Sequence, residues 1–403
     1  MKKLLITLRH PGPADAICSV LPHLLKQYRI IFILTDSAIK FMKKKYFNYL
    51  DKVQVYIPSN TLNEGFINYS EEVKSCSCEF EGEQINELNI LYSNLKQLVK
   101  TIQPDIALRT TPALKWGIDE LLPRVMKELN QYDKLRCYQE YYGSGRAIKD
   151  NENLVANVGC KSFATVDDIA KNIKDYKEKD VKTIGWMNQG QFFGFKSYTD
   201  ARNNFRKNNG IMNEFCILYC TIATNQIEKE LQHFTYFLNA IKKSNNSSKV
   251  FCKFHPRNTK EEIEKYINVA NNNKIKVEFL YNEQYDEILS FPDVLVSATS
   301  AVNIDCLEYQ MLNLDNINTV CVYSDGELTK SFFLKAIEKE TLPTHQNGSG
   351  NVIVNEVTYN NIFDEIQNNK VYYNYLYNEA EKLYKNDYNI VKNNFFNYLE
   401  NIN

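Results

Sequence analysis

The chain has 403 residues, a formal net charge of -1, and 44% hydrophobic against 24% charged residues, an ordinary balance for a globular protein. Its length exceeds one ordinary core and suits two domains of roughly 150 to 200 residues. The balanced charge gives no global reason to expect nucleic acid or an anionic membrane as the main partner, and no apolar run approaches the roughly 20 residues that cross a bilayer.

The first elements alternate strand and helix. Lys3 to Arg9 reads as a strand that runs into His10-Pro11-Gly12-Pro13-Ala14-Asp15. Pro and Gly break the strand, Asp15 is placed to cap the next helix, and Ile17, Val20, Leu21, Leu24 and Leu25 form that helix's apolar stripe. Arg29 to Thr35 is a second strand, Ala38 to Tyr46 a short basic helix and Val53 to Ile57 a third strand, a succession that predicts a parallel sheet with right-handed crossovers. The His10-Pro11-Gly12-Pro13 turn is not a dinucleotide fingerprint, so nothing implies NAD.

Ser59 to Gly82 is polar and aperiodic, which predicts a long loop or lid. A helix follows, with Leu88, Leu91, Leu95, Leu98 and Ile102 spaced by three and four and Gln103-Pro104 as its stop. The next strand, Asp105 to Leu108, delivers Arg109 and Thr110 to its C-terminal end, where ligands of open α/β sheets bind. A helix around Ile118 to Val125 and a strand Lys134 to Tyr138 lead to the loop Gln139-Glu140-Tyr141-Tyr142-Gly143. A strand and helix near Phe163 to Ile173, a strand Val181 to Trp186 and a charged, exposed helix Tyr198 to Asn209 complete the first half.

Phe215 to Cys220 restarts the alternation, with Thr221 in its turn and Ile227 to Ile241 as helix. Lys249 to Phe254 is a strand that stops at His255-Pro256-Arg257-Asn258, and Thr259 with Glu262 has the spacing of a capping box. Asp293 to Val296 is a further strand, ending in Ser297-Ala298-Thr299-Ser300 ahead of a helix from Val302 that carries Glu308. A His, an Arg and several hydroxyls beside a helix N-terminus favour an anion, with phosphate or diphosphate the natural guest. The bland alternatives are a strand-end histidine bonded to a carbonyl, a surface Arg257, a Ser/Thr helix cap of the kind found in any protein, and a solvent-facing Glu308. Thr319 to Tyr323 is the next strand, Leu328 to Glu338 a helix, Val352 to Val354 a short strand, and Tyr372, Tyr375, Leu376, Ala380, Leu383 and Tyr384 follow helical spacing.

Lys253-x-His255-Pro256-Arg257, followed by Asp293-Val294-Leu295-Val296-Ser297-x-x-Ser300 and then Glu308, resembles the second domain of GT-B glycosyltransferases. By motif it is similar to bacterial sialyl- and polysialyltransferases and to teichoic-acid glycerophosphotransferases. The resemblance implies two Rossmann-like domains facing a central cleft, with the last helices crossing back to the first domain. It assigns donor binding to His255, Ser297, Thr299 and Ser300 and a ribose contact to Glu308; Arg257 joins the donor-binding residues from its place in the same turn, and His10, Gly12, Arg109, Thr110 and Thr221, at strand ends and turns, are expected to line the cleft. The acidic pair that supplies the base in the sialyltransferase families has no match, so Glu140 and Asp15 stand together as base candidates, with His10 third. As bland alternatives, Asp15 is a helix cap and Glu140 a partner of Arg146 or Arg109.

The domains are expected at 1–190 (acceptor), 210–360 (nucleotide donor) and 361–403 (helices on the first domain). The expected activity is metal-independent, inverting transfer from a CMP-activated nonulosonic acid or a UDP-sugar to a glycan or protein acceptor, with a nucleotide-sugar 2-epimerase or hydrolase, or a non-catalytic nucleotide-sugar binding protein, as alternatives. No Asp-x-Asp motif is present, and no cofactor, metal or nucleic acid is expected. Ten cysteines form no Cys-x-x-Cys pair and read as buried thiols of a reducing, cytoplasmic compartment, the closely spaced Cys76 and Cys78 suiting neither zinc nor an easy disulfide. Peripheral membrane association and homo-oligomerisation stay open.

Overall fold

The computed structural model describes residues 1–70, 85–110, 117–138, 162–165, 180–223, 226–244, 247–281, 283–324, 348–355, 358–384 and 387–400. They form two compact units, Met1–Gln191 with Asn386–Asn403, and Phe192–Lys385. The expected α/β class with two Rossmann-like domains is what the chain adopts, with one six-stranded, mostly parallel sheet in each unit.

In the first unit β1 (Lys2–Leu8), β2 (Tyr28–Leu34), β3 (Gln54–Pro58), β4 (Phe66–Asn68), β5 (Ile106–Arg109) and β6 (Leu135–Cys137) are ordered β4-β3-β2-β1-β5-β6. Only β4 is antiparallel, pairing with β3. It lies in the stretch expected to be a loop, because a three-residue strand is too short to register as alternation. The buried alternation of β1 explains the layering. Leu4, Ile6 and Leu8 pack with α1 (Pro11–Leu24), α2 (Asp36–Lys45) and the last helix, while Leu5 faces α4 (Ile85–Ile102) and α5 (Ile118–Glu128). A four-residue helix, α3, spans Phe47–Leu50, and β7 (Ser162–Thr165) pairs in parallel with β8 (Asp180–Thr183).

Helix α1 begins at Pro11, four residues before the expected cap. Proline at the first helical position is preset for the helix and lacks only an N–H that has no intrahelical acceptor there. Asp15 therefore lies inside α1, where its carboxylate accepts from Lys45 Nζ at 2.7 and 2.9 Å and from Tyr46 Oη at 2.5 Å.

The second unit starts with α6 (Tyr198–Asn208), then β9 (Phe215–Cys220), α7 (Ile227–Lys243), β10 (Ser248–Lys253), α8 (Lys260–Asn272), β11 (Val277–Leu280), α9 (Tyr285–Ser290), β12 (Val294–Ser297), α10 (Val302–Asn313), β13 (Val320–Ser324) and β14 (Val352–Val354). Its order, β11-β10-β9-β12-β13-β14, is all parallel and reverses direction between β9 and β12. Contrary to the expectation of an exposed helix, α6 buries Tyr198, Ala201 and Phe205 on one stripe. Phe205 stacks on Phe291 at 3.9 Å, and Arg202 and Arg206 both hold Asp293, at 2.5 and 2.7 Å. Spacing of three and four residues hides one apolar face among charges.

The segment expected as 361–403 on the first domain is divided. Helix α11 (Tyr359–Asn368) packs on α7, and α12 (Lys370–Tyr384) packs on α10 and buries Leu376, Ala380 and Tyr384, all within the second unit. Helix α13 (Tyr388–Glu400) alone joins the first unit, where Val391, Phe395 and Leu399 enter the core and Tyr398 Oη donates to Cys137 O at 3.0 Å. The seven described cysteines are all buried. No helix among the described residues is long and apolar enough to cross a membrane.

Candidate functional site

The sheet reversal between β9 and β12 marks where an open α/β sheet leaves a crevice beyond its strand C-termini. Register aligns three strand ends there, because Cys220 pairs with both Lys253 and Ser297. The His255 and Thr299 turns thus leave the same edge of the sheet, on strands about 10 Å apart that flank Thr221.

The His255 turn is closed by the Asn258 N–H donating to His255 O at 2.9 Å. The expected capping box then opens α8: Thr259 Oγ1 accepts from Glu262 N at 3.2 Å, and Glu262 Oε2 accepts from Thr259 N at 2.9 Å. Thr221, 2% exposed, is committed to this turn. Its hydroxyl donates to Asn258 Oδ1 at 2.6 Å and accepts from His255 N at 2.8 Å.

His255 is half-buried and Arg257 exposed. His255 Nδ1 accepts the Arg257 backbone N–H at 3.1 Å. Burial first, and then the cations Arg257 and Lys253, lower the imidazole from 6.5 to about 4, so the ring is neutral at physiological pH.

On the other side of Thr221 the expected hydroxyl row divides. Ser297, fully buried, donates to Asn303 Oδ1 at 2.9 Å, while Asn303 Nδ2 donates to Val322 O at 3.0 Å. Its hydroxyl ties β12 to α10 instead of facing outward. Thr299 and Ser300 keep partial exposure. The N-cap of α10 is Ala301, which has no capping side chain, and Ser300 Oγ accepts from Val302 N at 3.3 Å. The first amides of a twelve-residue helix therefore point at the strand edge, where they attract anions.

Glu308 is 0% exposed and lies beside Tyr384 of α12, whose hydroxyl it helps push upward after burial itself. Asp305, 8% exposed, lies in the first turn of α10 and accepts from Tyr285 Oη at 2.6 Å. Sequence reading passed over Asn258, Tyr285 and Asp305. An Asn three residues past a strand-end His, a residue type whose side chain readily bonds nearby backbone in turns, is the signal that was there to find.

In the first unit His10 is the N-cap of α1 and Gly12 is exposed at its start. Arg109 and Thr110 are enclosed at 4% and 0% exposure instead of lining an open edge, and Arg109 Nη1 donates to Asp119 O at 3.3 Å. Beside them Arg9 Nη1 pairs with Glu120 at 2.7 Å and Thr7 donates to Asp119. Burial, then Glu120, raises Asp119 to about 7 against the pull of Arg9, Thr7 and Arg109. Glu140 lies outside the described residues, as do the 328–338 helix and Cys76 with Cys78.

No family model matches the chain, and no curated protein sequence matches it significantly. Solved structures match over its whole length. Anabaena HepE in complex with UDP and glucose is 11% identical with a TM-score of 0.61, covering 100% of both chains. The UDP-GlcNAc 2-epimerase of Neisseria meningitidis bound to UDP-GlcNAc is 11% identical with a TM-score of 0.59, covering 99% of each chain. A glycosyltransferase from Rickettsia africae is 12% identical with a TM-score of 0.59, covering 99% of this chain and 95% of its own. At such identities the likeness is one of fold, two Rossmann-like domains.

Proposed function

We propose that this protein is an enzyme that binds a nucleotide-activated sugar at the C-terminal edge of its second sheet and transfers the sugar, without a metal ion, to a glycan or protein acceptor. The observation that carries the reading is the register that brings the His255 turn and the α10 N-terminus to the same edge, on either side of Thr221. A departing nucleotide diphosphate gains charge as the glycosidic bond breaks. Fixed N–H donors, a helix dipole and the exposed Arg257 are suited to take up that charge. Of the two acidic residues on α10, Asp305 takes the place that resemblance gave to Glu308, as acceptor for a sugar hydroxyl pair. Thr299 and Ser300 contribute hydroxyls, and Ser297 supports them from beneath.

Transfer also needs a base for the acceptor hydroxyl. Asp15 is engaged by Lys45 and Tyr46, so Glu140 is the proposed base, ahead of His10, with inversion at the anomeric carbon. A second reading, 2-epimerisation on the same donor site, is favoured by the full-length likeness to the Neisseria enzyme. Incubation with CMP-, UDP- and CDP-linked donors separates them. Nucleotide release that requires an acceptor supports transfer, and C2 epimer formation without one supports epimerisation. Binding without turnover contradicts both.

A further inference from the structure

Asn258 uses its whole hydrogen-bonding capacity to hold the His255 turn. Its Oδ1 accepts from His255 N at 2.9 Å and from Thr221 Oγ1 at 2.6 Å. Its Nδ2 donates to Ile222 O at 3.2 Å and to Glu262 Oε2 at 3.1 Å. Two acceptor and two donor positions are all that an amide side chain offers. Its orientation is fixed chemically, because a backbone N–H faces the oxygen and a backbone carbonyl faces the nitrogen. The side chain thereby links the loop after β9, the turn after β10 and the start of α8.

Within the turn so held, the Arg257 N–H points at His255 Nδ1. A ring nitrogen that accepts cannot carry the proton of a neutral imidazole, so that proton sits on Nε2. We propose that Asn258 is the positioning residue that fixes His255 with its proton on Nε2, so that the ring offers an N–H donor to a phosphate oxygen of the bound nucleotide. The identity of the phosphate rests on the functional reading above; the ring's proton placement does not.

A carboxylate cannot replace this amide. Asn258→Asp sets an anion against the Ile222 carbonyl and the Glu262 carboxylate, and adds negative charge beside an imidazole whose charged neighbours are Lys253, Arg257 and Glu262. The ring then holds a second proton more readily, and the turn loses two of its ties.

The test uses the full chain with nitrogen-labelled histidine, the His255 ring signals being assigned by their loss in His255→Gln. Wild type is expected to show the Nε2–H form across neutral pH and to bind UDP. In Asn258→Asp the ring titration moves upward and UDP binding weakens about tenfold or more, the size of a lost hydrogen bond to a charged group. The double variant Asn258→Asp with Glu262→Gln removes the contact between two carboxylates and recovers part of the UDP binding lost in the single variant. A proton on Nδ1 in wild type, or an Asn258→Asp variant with unchanged ring titration and unchanged UDP affinity, overturns the proposal. Wild type that binds none of UDP, CMP and CDP overturns the nucleotide-sugar reading, while the ring titration separately decides how His255 is held.

Discussion

Tyr285 donates its hydroxyl to the Asp305 carboxylate at 2.6 Å, and this bond joins the short α9 to the first turn of α10 beside the anion-favouring amides. Asp305 is thus held toward α9, whereas Glu308, one turn later, lies beside Tyr384 of α12. Asp305→Asn should weaken UDP-sugar binding roughly tenfold with little change in melting temperature. Glu308→Gln should leave affinity unchanged. Calorimetric titration of both variants measures the difference.

The neutral His255 carries a pH consequence. Its imidazole is lowered to about 4, chiefly by burial, so it gains no charge in the range near 6.5 where an ordinary histidine titrates. Affinity for a UDP-sugar, whose diphosphate diester does not titrate near neutrality, should be flat across that range in wild type. His255→Ala should bind about tenfold more weakly at every pH, having lost one donor to a charged group. A step in wild-type affinity near 6.5 would contradict the assignment.

Asp119 should make the first unit's stability depend on pH. Buried carboxylate raised from 3.8 to about 7 binds its proton more tightly in the folded state than in the unfolded chain. Its contribution is fully present below the unfolded value and is lost as pH rises through the folded one. The melting temperature of wild type relative to Asp119→Asn should therefore fall as pH rises from about 4 to about 7 and level off above, as paired thermal melts will record.

Gly350 has φ +76°, and a Cβ placed on it would lie 2.5 Å from Ala380 Cβ and 2.8 Å from Ala380 Cα. Neither the left-handed backbone nor the contact with α12 tolerates a side chain. Gly350→Ala should destabilise the second unit by about 2–4 kcal/mol in chemical unfolding.

The strand and helix succession was legible because most strands are buried on both faces and read as short apolar runs, as in Phe215–Cys220. The capping box at Thr259 and the strand end at Lys253 were legible for the same local reason. Tertiary destinations were not. Nothing local distinguishes Tyr384, which packs within its own unit, from Phe395, which enters the core of the other. Likewise Ser297 and Ser300 look alike in sequence, yet one is spent on Asn303 and the other stays at the surface. Direction of a side chain depends on which element covers it, and that is set by contacts far along the chain.

Crystals of the chain soaked in turn with UDP and with CMP test the central claim most directly. The account predicts phosphate oxygens within hydrogen-bond distance of His255 Nε2 and of backbone amides between Thr299 and Asn303, with the ribose toward Asp305. Nucleotide bound away from that strand edge, or no nucleotide bound while the edge is open to solvent, would contradict it.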